Sequence, residues 1–507
     1  MRILTKSQTV RAEQLGEERG LPLLRMMENA GSAAAKYIRD HYELAGKPIV
    51  VLAGRSGNAG DGFVAARKLF EHGFQVSVVL CQGAPTSQNA TEMLNRIAVS
   101  DISVFDWQED KILAENTLKN AQIVIDALFG HGFHPPMSDN MAAVLTMANE
   151  LPALRIAFDL PSGTSCDSGV VEGVCFHAHT TLSFISLKPL HVLYPACEFC
   201  GDTVVLPIGL VPELLDEAGC HMQTVSDDFV HSALPNRHPN SHKGTYGKLL
   251  CAVSSVTMPG AGVLCAKAAL RSGVGLVRMA IPKSAYPAIS SQITEPVYAF
   301  LPENQSGTLH ASAAEILINL CKDSSAMLIG CGLGLNDDTK SVVHTLLQSV
   351  KIPIVLDADG INAISTHIHS VTDANMILTP HPAEMARLTG LSVTDIESDR
   401  LNVSRRFSRE TGAVLVLKGA NTVVAAPDGS LYMVTQGNPG MATGGSGDVL
   451  AGIIASLAAQ GLSPKNAAMC GVYLHANAGD AAAKRFSQAA MLPSDIISCL
   501  PEVFLAL

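Results

Sequence analysis

The stretch GNPGMATGGSGDVLAG, from Gly437 to Gly452, ends a glycine-rich turn in a single acid, Asp448, at the head of an apolar segment. Glycines let backbone N–H groups converge on one point, and a helix starting there adds the positive end of its dipole. A phosphate is the anion such a place would bind, and Asp448 would then stand where a reacting hydroxyl meets it. A glycine hinge with Asp448 as a plain N-cap would leave the same letters, so the neighbouring motifs must separate the two readings.

Several polar loops follow apolar runs in this half of the chain, and each offers a different part of a phosphate-handling site. KGANT, Lys418 to Thr422, comes directly after AVLVL and supplies an ammonium group and turn N–H groups; a lysine-bearing hairpin turn reads alike. TPHPAE sets His381 and Glu384 among two stiffening prolines, although a lone histidine is often a satisfied structural residue. DADGIN places Asp357 and Asp359 at a further strand end, where carboxylates could hold magnesium through water or simply cap a helix. MPGAG and IGCGLG add two more glycine turns.

The elements that must position these loops follow from periodicity. At 507 residues the chain exceeds what one hydrophobic core supports, so at least two cores are expected. Hydrophobic residues make up 47% and charged residues 16%, with 42 glycines, which suits buried parallel sheets under small-residue helices. From Pro48, PIVVLAG, FVAARKLFEHG, QVSVVLC, IVIDALFG and RIAFDLPSG alternate as strands and helix around the glycine loop RSGNAGDG. Such a βαβ series implies a mainly parallel sheet with right-handed crossovers and ligands at the carboxyl ends of its strands. The opening region, Ser7 to His41, reads as helix packed on that sheet.

Between Gly209 and Ser241 the period fades and LPNRHPNSHKG has the composition of a junction, so the boundary is set at 218/219. A second alternation follows through KLLCAVSS, LVRMAI, AMLIGCG, IPIVLDADG, NMILTP and AVLVLKG, and NTVVAAPDGSLYMVTQG reads as a hairpin turning at Pro427, Asp428 and Gly429.

A net charge of -11 without basic runs argues against nucleic acid as partner, and no apolar run is long enough to span a membrane. Small-molecule partners, a cytoplasmic location and a homo-oligomer are expected. The 12 cysteines are scattered in apolar stretches and imply no disulfide framework, and Cys197 and Cys200 form a lone CxxC that reads as structural rather than zinc-binding.

From about Val225 onward, SHKGTYGKLL, MPGAG, IGCGLG, LDADGIN, TPHPAE, KGANT and GGSGDVLAG stand in the order seen in NAD(P)H-hydrate dehydratases, and this half resembles that ribokinase-like family. The resemblance implies that ADP, or ATP in some relatives, phosphorylates the C6 hydroxyl of the S form of hydrated NADH or NADPH with Mg2+. Phosphate then leaves and the dihydropyridine is restored, with AMP as by-product when ADP is used. It implies that Lys418, Gly419, Ala420, Asn421, Thr422 and Gly447 hold the nucleotide, and that Ala261, Gly332, His381 and Asp448 contact the hydrate. Asp448 would be the general base, with the N–H groups of Gly444 to Gly447 as an anion hole. Cys331 departs from the proline of the usual GPGLG.

From Leu4 to Pro212 the chain resembles the NAD(P)H-hydrate epimerases, through GRSGNAGDGFVAAR, DALFGHGFHPP, DLPSGTSCDSG and TLSFISLKPLHVLYPACEFCG. This implies hydrate contacts from Gly57, Asn58, Ala59, Gly60 and Asp61, from Gly130, His131, Gly132, Phe133, His134, Pro135 and Pro136, and from Asp159. Potassium would be held by Asn58, Asp126 and Ser162. Asp159 is the expected acid/base group, ahead of Lys188. Ser56 to Gly62 read SGNAGDG where GNNGGDG is usual, with one asparagine and one glycine replaced, and His131 and Phe133 stand where threonine and leucine are common, which bears on rate and substrate fit rather than on fold.

The chain is therefore expected to be α/β throughout. Residues 1–218 would form a Rossmann-like doubly wound epimerase domain, and residues 219–507 a ribokinase-like α/β/α dehydratase domain. A small-molecule kinase of the ribokinase-like group, such as a vitamin-precursor kinase, preceded by a noncatalytic ligand-binding domain, is the alternative, since GGSGD alone does not separate phosphorylation from phosphorylation followed by elimination.

Overall fold

The computed structural model describes residues 1–133, 136–365 and 375–507, and the chain divides into two compact units, Met1–Met222 and Gln223–Leu507. His134 and Pro135, both expected at the hydrate site, lie outside the described residues.

In the first unit, short β-branched runs form seven parallel strands: β1 (Ile49–Ala53), β2 (Val76–Leu80), β3 (Ser103–Asp106), β4 (Ile123–Ala127), β5 (Leu154–Phe158), β6 (Thr180–Phe184) and β7 (Asp202–Leu206). Their order, β3-β2-β1-β4-β5-β6-β7, reverses direction between β1 and β4, which opens a crevice at the carboxyl ends there. Both faces of the sheet are covered, so β1, β4 and β6 are buried along their whole length.

The opening region is two helices, α1 (Lys6–Glu18) and α2 (Leu23–His41). Gly20 at φ +89° and Pro22 at the N-cap of α2 break the expected continuous helical stretch. Another difference is α3, Gly57–Glu71, which begins within the presumed glycine loop. Gly60 and Gly62 are there for proximity: a Cβ on Gly60 would lie 2.3 Å from Met27 Sδ, and one on Gly62 2.7 Å from Ala127 Cβ.

In the second unit the strands are β8 (Lys248–Ala252), β9 (Leu276–Pro282), β10 (Val297–Leu301), β11 (Ala326–Ile329), β12 (Ile354–Leu356), β13 (Met376–Leu378), β14 (Val414–Leu417), β15 (Thr422–Ala425) and β16 (Leu431–Val434). They lie in the order β16-β15-β14-β13-β12-β11-β8-β9-β10. Pairing is parallel except at β14 with β15 and β15 with β16, so the expected hairpin is present. Consequently the loops after β8, β11, β12, β13 and β14, which carry the motifs singled out above, leave one edge of the sheet.

Helix α4 (Pro259–Arg271) packs closely on a helix that begins in the glycine-rich turn, α7 (Ser446–Ala459), because Gly452 brings its backbone against Cys265; a Cβ there would lie 2.3 Å from the Cys265 carbonyl oxygen. Helices α5 (Pro382–Thr389) and α6 (Arg400–Thr411) precede it, and α8 (Pro464–Phe486) follows. Among the described residues no helix is long and apolar enough to cross a membrane. None of the 12 cysteines is in a disulfide, and Cys200 donates to the Ala196 carbonyl inside its own turn.

Candidate functional sites

Helix α7 starts at Ser446 with Gly445 as N-cap at φ +101°, so Asp448 is the third residue of its first turn rather than the cap. Among the described residues the N–H groups of Gly444, Gly445 and Gly447 donate to no group of the chain, whereas that of Ser446 donates to the Thr443 carbonyl at 3.3 Å. The anion hole is thus narrower than the four N–H groups the sequence suggests. Inside this turn, Ser446 Oγ lies 3.3 Å from Nε2 of the buried His475, whose ring burial lowers to about 4.

Lys418 reaches the same place from the end of β14. Its Nζ donates to Asp357 Oδ1 at 2.7 Å, lies 3.7 Å from Glu384 Oε2, and would be 3.3 Å from a Cβ on Gly447. Burial pulls the ammonium down, but Asp357 and Glu384 outweigh it and hold Lys418 above its ordinary value. Asp357 is further fixed by Thr379 Oγ1 at 2.8 Å and Cys331 Sγ at 3.5 Å. Ligand atoms of Cys265, Cys331 and Asp448 lie within 4.8 Å of one another, so Asp448 shares this cluster. Burial first, then the Asp357 charge, push its carboxyl up to about 6.

KGANT is both things it could be: a hairpin turn between antiparallel strands and the carrier of a site lysine. Asn421 adopts φ +55°, and Arg400 Nη2 braces the turn by donating to the carbonyls of Leu417 at 3.2 Å and Lys418 at 3.3 Å. Ala261 and Gly332 are brought together, a Cβ on Gly332 lying 2.8 Å from that of Ala261. His381 caps α5: its Nδ1 accepts from the N–H groups of Ala383 at 3.1 Å and Glu384 at 3.4 Å, which leaves Nε2, 3.5 Å from Glu384 Oε1, at the exposed edge. Asp359 accepts from the Gly334 N–H at 2.8 Å.

In the first unit a cavity of about 310 Å³ opens at the switch point, lined among others by Glu13, Asn58, Asp61, His131, Asp159 and Lys188. Asp159 stands at the end of β5 with φ +63°, a conformation a non-glycine residue adopts only when its surroundings enforce it. Lys188 is fully buried and pairs with its carboxylate, donating also to the Phe184 carbonyl at 2.7 Å and Ser183 Oγ at 3.1 Å. His191 donates through Nε2 to the Asp159 carbonyl at 3.1 Å, since its Nδ1 accepts from the Lys188 N–H at 2.9 Å. Burial would raise Asp159, but the Lys188 ammonium and then His131 bring it below its ordinary value. Glu13 is pushed up to about 7 by burial and by the Asp159 charge, and Asp61 goes well up for the same reasons.

Of the residues expected at the hydrate, Gly57, Asn58, Asp61, Gly130, His131, Gly132 and Asp159 line this cavity. Ala59 and Gly60 do not: the helix turns them into the apolar core and against Met27. Phe133 packs against Phe129, ring centroids 4.7 Å apart and tilted, and Pro136 is exposed. Asn58 donates through Nδ2 to the carbonyls of Phe129 at 2.8 Å and Phe158 at 3.0 Å, and its Oδ1 is buried without a partner. Asp126 accepts from Ser162 Oγ at 2.7 Å and the Ser162 N–H at 2.8 Å, and burial raises it to about 6. An orphaned amide oxygen and a buried carboxylate are oxygen donors of the kind a cation could use.

Residues 250–502 match the family described as NAD(P)H-hydrate dehydratase, and residues 23–190 match the YjeF-related protein N-terminus. A bifunctional NAD(P)H-hydrate repair enzyme of Moorella thermoacetica is 37% identical over 497 residues, covering 95% of this chain and 92% of that protein. The chain belongs to the bifunctional NAD(P)H-hydrate repair enzymes. A ribokinase-like superfamily protein of Enterococcus faecalis, 26% identical, superposes with a TM-score of 0.50 over 56% of this chain and 96% of its own. An ADP/ATP-dependent NAD(P)H-hydrate dehydratase of Bacillus subtilis, co-crystallised with ATP and Mg2+, is 30% identical with a TM-score of 0.49, over 56% of this chain and 98% of its own. Repair-enzyme membership decides against the kinase with a noncatalytic first domain.

Sequence reasoning did not single out Glu13, His191 or Arg400. Glu13 carried a signal, an acid in the stripe Thr9, Ala12, Glu13, Gly16 that α1 turns inward. His191 reaches the Asp159 carbonyl and Arg400 the carbonyls of Leu417 and Lys418, contacts distant in sequence.

Proposed function

We propose that Gln223–Leu507 dehydrates the S form of NAD(P)H hydrate at the expense of ADP, and that Met1–Met222 interconverts the R and S forms. The observation that carries the first reading is the meeting of Lys418, Gly447 and Asp448 at the head of α7, with the Asp448 carboxyl raised to about 6. Such a carboxylate is ionised at neutral pH yet basic enough to take a hydroxyl proton. Lys418, with Gly419, Ala420, Asn421 and Thr422, receives the nucleotide phosphates beside the N–H groups of Gly445 and Gly447. Ala261, Gly332 and His381 seat the hydrate. Asp357 and Asp359 are the carboxylates through which Mg2+ accompanying the nucleotide would be held, neutralising phosphate charge.

Asp448 takes the proton of the C6 hydroxyl as its oxygen attacks the terminal phosphorus of ADP, and AMP departs. The C6–O bond then breaks with its electrons on phosphate, pushed by the lone pair of N1, and loss of a C5 proton restores the dihydropyridine. An aliphatic hydroxyl is a poor leaving group, which is why the nucleotide is spent.

For the first unit the supporting observation is the buried Asp159–Lys188 pair lining the cavity, with Asp159 as acid/base group. Potassium held by Asn58, Asp126 and Ser162 would tie the ends of β4 and β5 to α3 and so fix the cavity's rim.

One experiment tests the whole reading. Pure protein is given mixed hydrate epimers, ADP and Mg2+, and dihydronicotinamide absorbance is followed together with AMP. Full recovery is expected; no recovery refutes the dehydratase, and recovery that stops when the S form is exhausted refutes the epimerase.

A further inference from the structure

The acid/base reading of Asp159 leaves a chemical gap. Exchanging the configuration at C6 needs one group to give a proton and another to take one, and Asp159, paired with Lys188 and held below its ordinary value, is set up only to take. Two titratable groups in one site whose surroundings push them apart mark an acid and a base.

Glu13 reaches the same cavity from a different element. It lies one turn beyond Thr9 on α1, and both residues line the cavity beside Met26, Met27 and Ala30 of α2. The helix is held in place at several points: Thr5 and Gln8 form a capping box, Gln8 Nε2 bonds the Gly219 carbonyl, and Ala12 and Leu15 pack with Leu214 and Leu215. Of its other acids Glu17 is exposed to solvent and Glu18 pairs with Arg11 at 2.9 Å, whereas among the described residues Glu13, turned inward, has neither an ion-pair nor a hydrogen-bond partner. A carboxyl turned into a largely apolar cavity without a partner is costly unless it carries a proton or meets a ligand.

We propose that Glu13 is the proton donor of the epimerase, acting on the C6 hydroxyl of the hydrate while Asp159 serves as the base. Glu13 gives its proton to the hydroxyl, the C6–O bond breaks with both electrons on oxygen, and water leaves as the N1 lone pair closes a C6–N1 double bond. Water then adds to the opposite face of C6, the double-bond electrons return to N1, and the surplus proton passes to Asp159. Nothing is consumed: Asp159 gives its proton up to solvent water and Glu13 regains one from it before the next turnover. The charged and titratable groups facing Glu13 are Asp159 and Lys188 from the loops after β5 and β6, Asp61 from α3 and His131 from the loop after β4; α2 presents only apolar side chains. The Asp159 charge supports a proton on Glu13 at neutral pH, where it titrates at about 7.

The proposal rests on the epimerase reading, and the test keeps the two apart. In the full chain, conversion of purified R hydrate is measured for wild type, Glu13→Gln and Glu13→Asp, with thermal melts of the same preparations reporting that each has folded. Glu13→Gln is expected to lower kcat for R-to-S conversion about 10²- to 10³-fold with little change in KM, and Glu13→Asp to restore part of it. Wild-type kcat/KM should fall as pH rises past about 7, where the donor loses its proton, and Glu13→Gln should lack that limb. Wild-type protein that leaves R hydrate untouched brings down the epimerase and this role together. Active wild type with a Glu13→Gln variant within threefold of it, a loss confined to KM, or no alkaline limb in the wild-type profile overturns the role of Glu13 alone.

Discussion

Asp159 is buried and Asp448 half-buried, each near a lysine, yet their surroundings push them in opposite directions. Asp159 has Lys188 to itself, whereas Lys418 is already bonded to Asp357, so the Asp448 carboxyl feels burial and a neighbouring negative charge first. As a base Asp448 works only when ionised, so the dehydratase rate should rise with pH through about 6 and level off above it. Asp448→Asn should lower kcat at least about 10²-fold and abolish that limb while nucleotide affinity stays unchanged. Substantial residual turnover would refute its role. Lys418 makes a further prediction, because removing it leaves Asp357 and Glu384 buried without their shared cation. Lys418→Met should destabilise the second unit by on the order of 3 kcal/mol and weaken nucleotide binding, both readable in urea melts with and without ADP. Equal melts would show the pair to be energetically idle.

At the scale of elements, glycines mean two different things here, and the letters alone do not tell them apart. RSGNAGDG and TGGSGD both read as loops, but Gly57, Gly60 and Gly447 lie inside the first turns of α3 and α7, and only Gly445 needs a left-handed backbone. What the sequence lacks is the facing surface: Gly60 is small because Met27 crosses it, and Gly452 because Cys265 does. The strands were legible since parallel sheets bury both faces and leave uninterrupted apolar runs, and the motif loops were legible because they terminate those runs. Glu13 was not, because the cavity that gives it meaning is assembled from α1, α3 and the ends of β4, β5 and β6. The close crossing of α4 and α7 positions Ala261 against Gly332 and holds the head of α7. Gly452→Val should therefore cost about 1–3 kcal/mol in denaturant unfolding and raise KM for the hydrate, without the pH limb of Asp448 moving. A stable variant with unchanged KM would show that the crossing does not set the site.

For the molecule as a whole, each unit carries its own core, and the proposed chemistry of the two calls on different ions. Among the described residues of the first unit Asn58 Oδ1 is a buried oxygen without a partner, whereas the loops proposed to hold the nucleotide in the second offer N–H groups and Lys418. Replacing potassium by a bulky quaternary ammonium ion, which cannot enter a site built from Asn58, Asp126 and Ser162, should stop R-hydrate consumption and leave S-hydrate consumption with ADP and Mg2+ intact. Asn58→Leu should behave like potassium removal even in its presence, since it deletes the amide oxygen together with the bonds to Phe129 and Phe158. Chelating Mg2+ should do the reverse, arresting the S form while R and S still equilibrate. With mixed epimers, NADH or NADPH recovery then stops at the initial S fraction in the first two cases and never begins in the third. Chiral separation of the remaining hydrate checks each outcome. R-form consumption that persists without potassium would remove the cation from the epimerase, and loss of both activities together would mean that the ion supports the fold rather than one site.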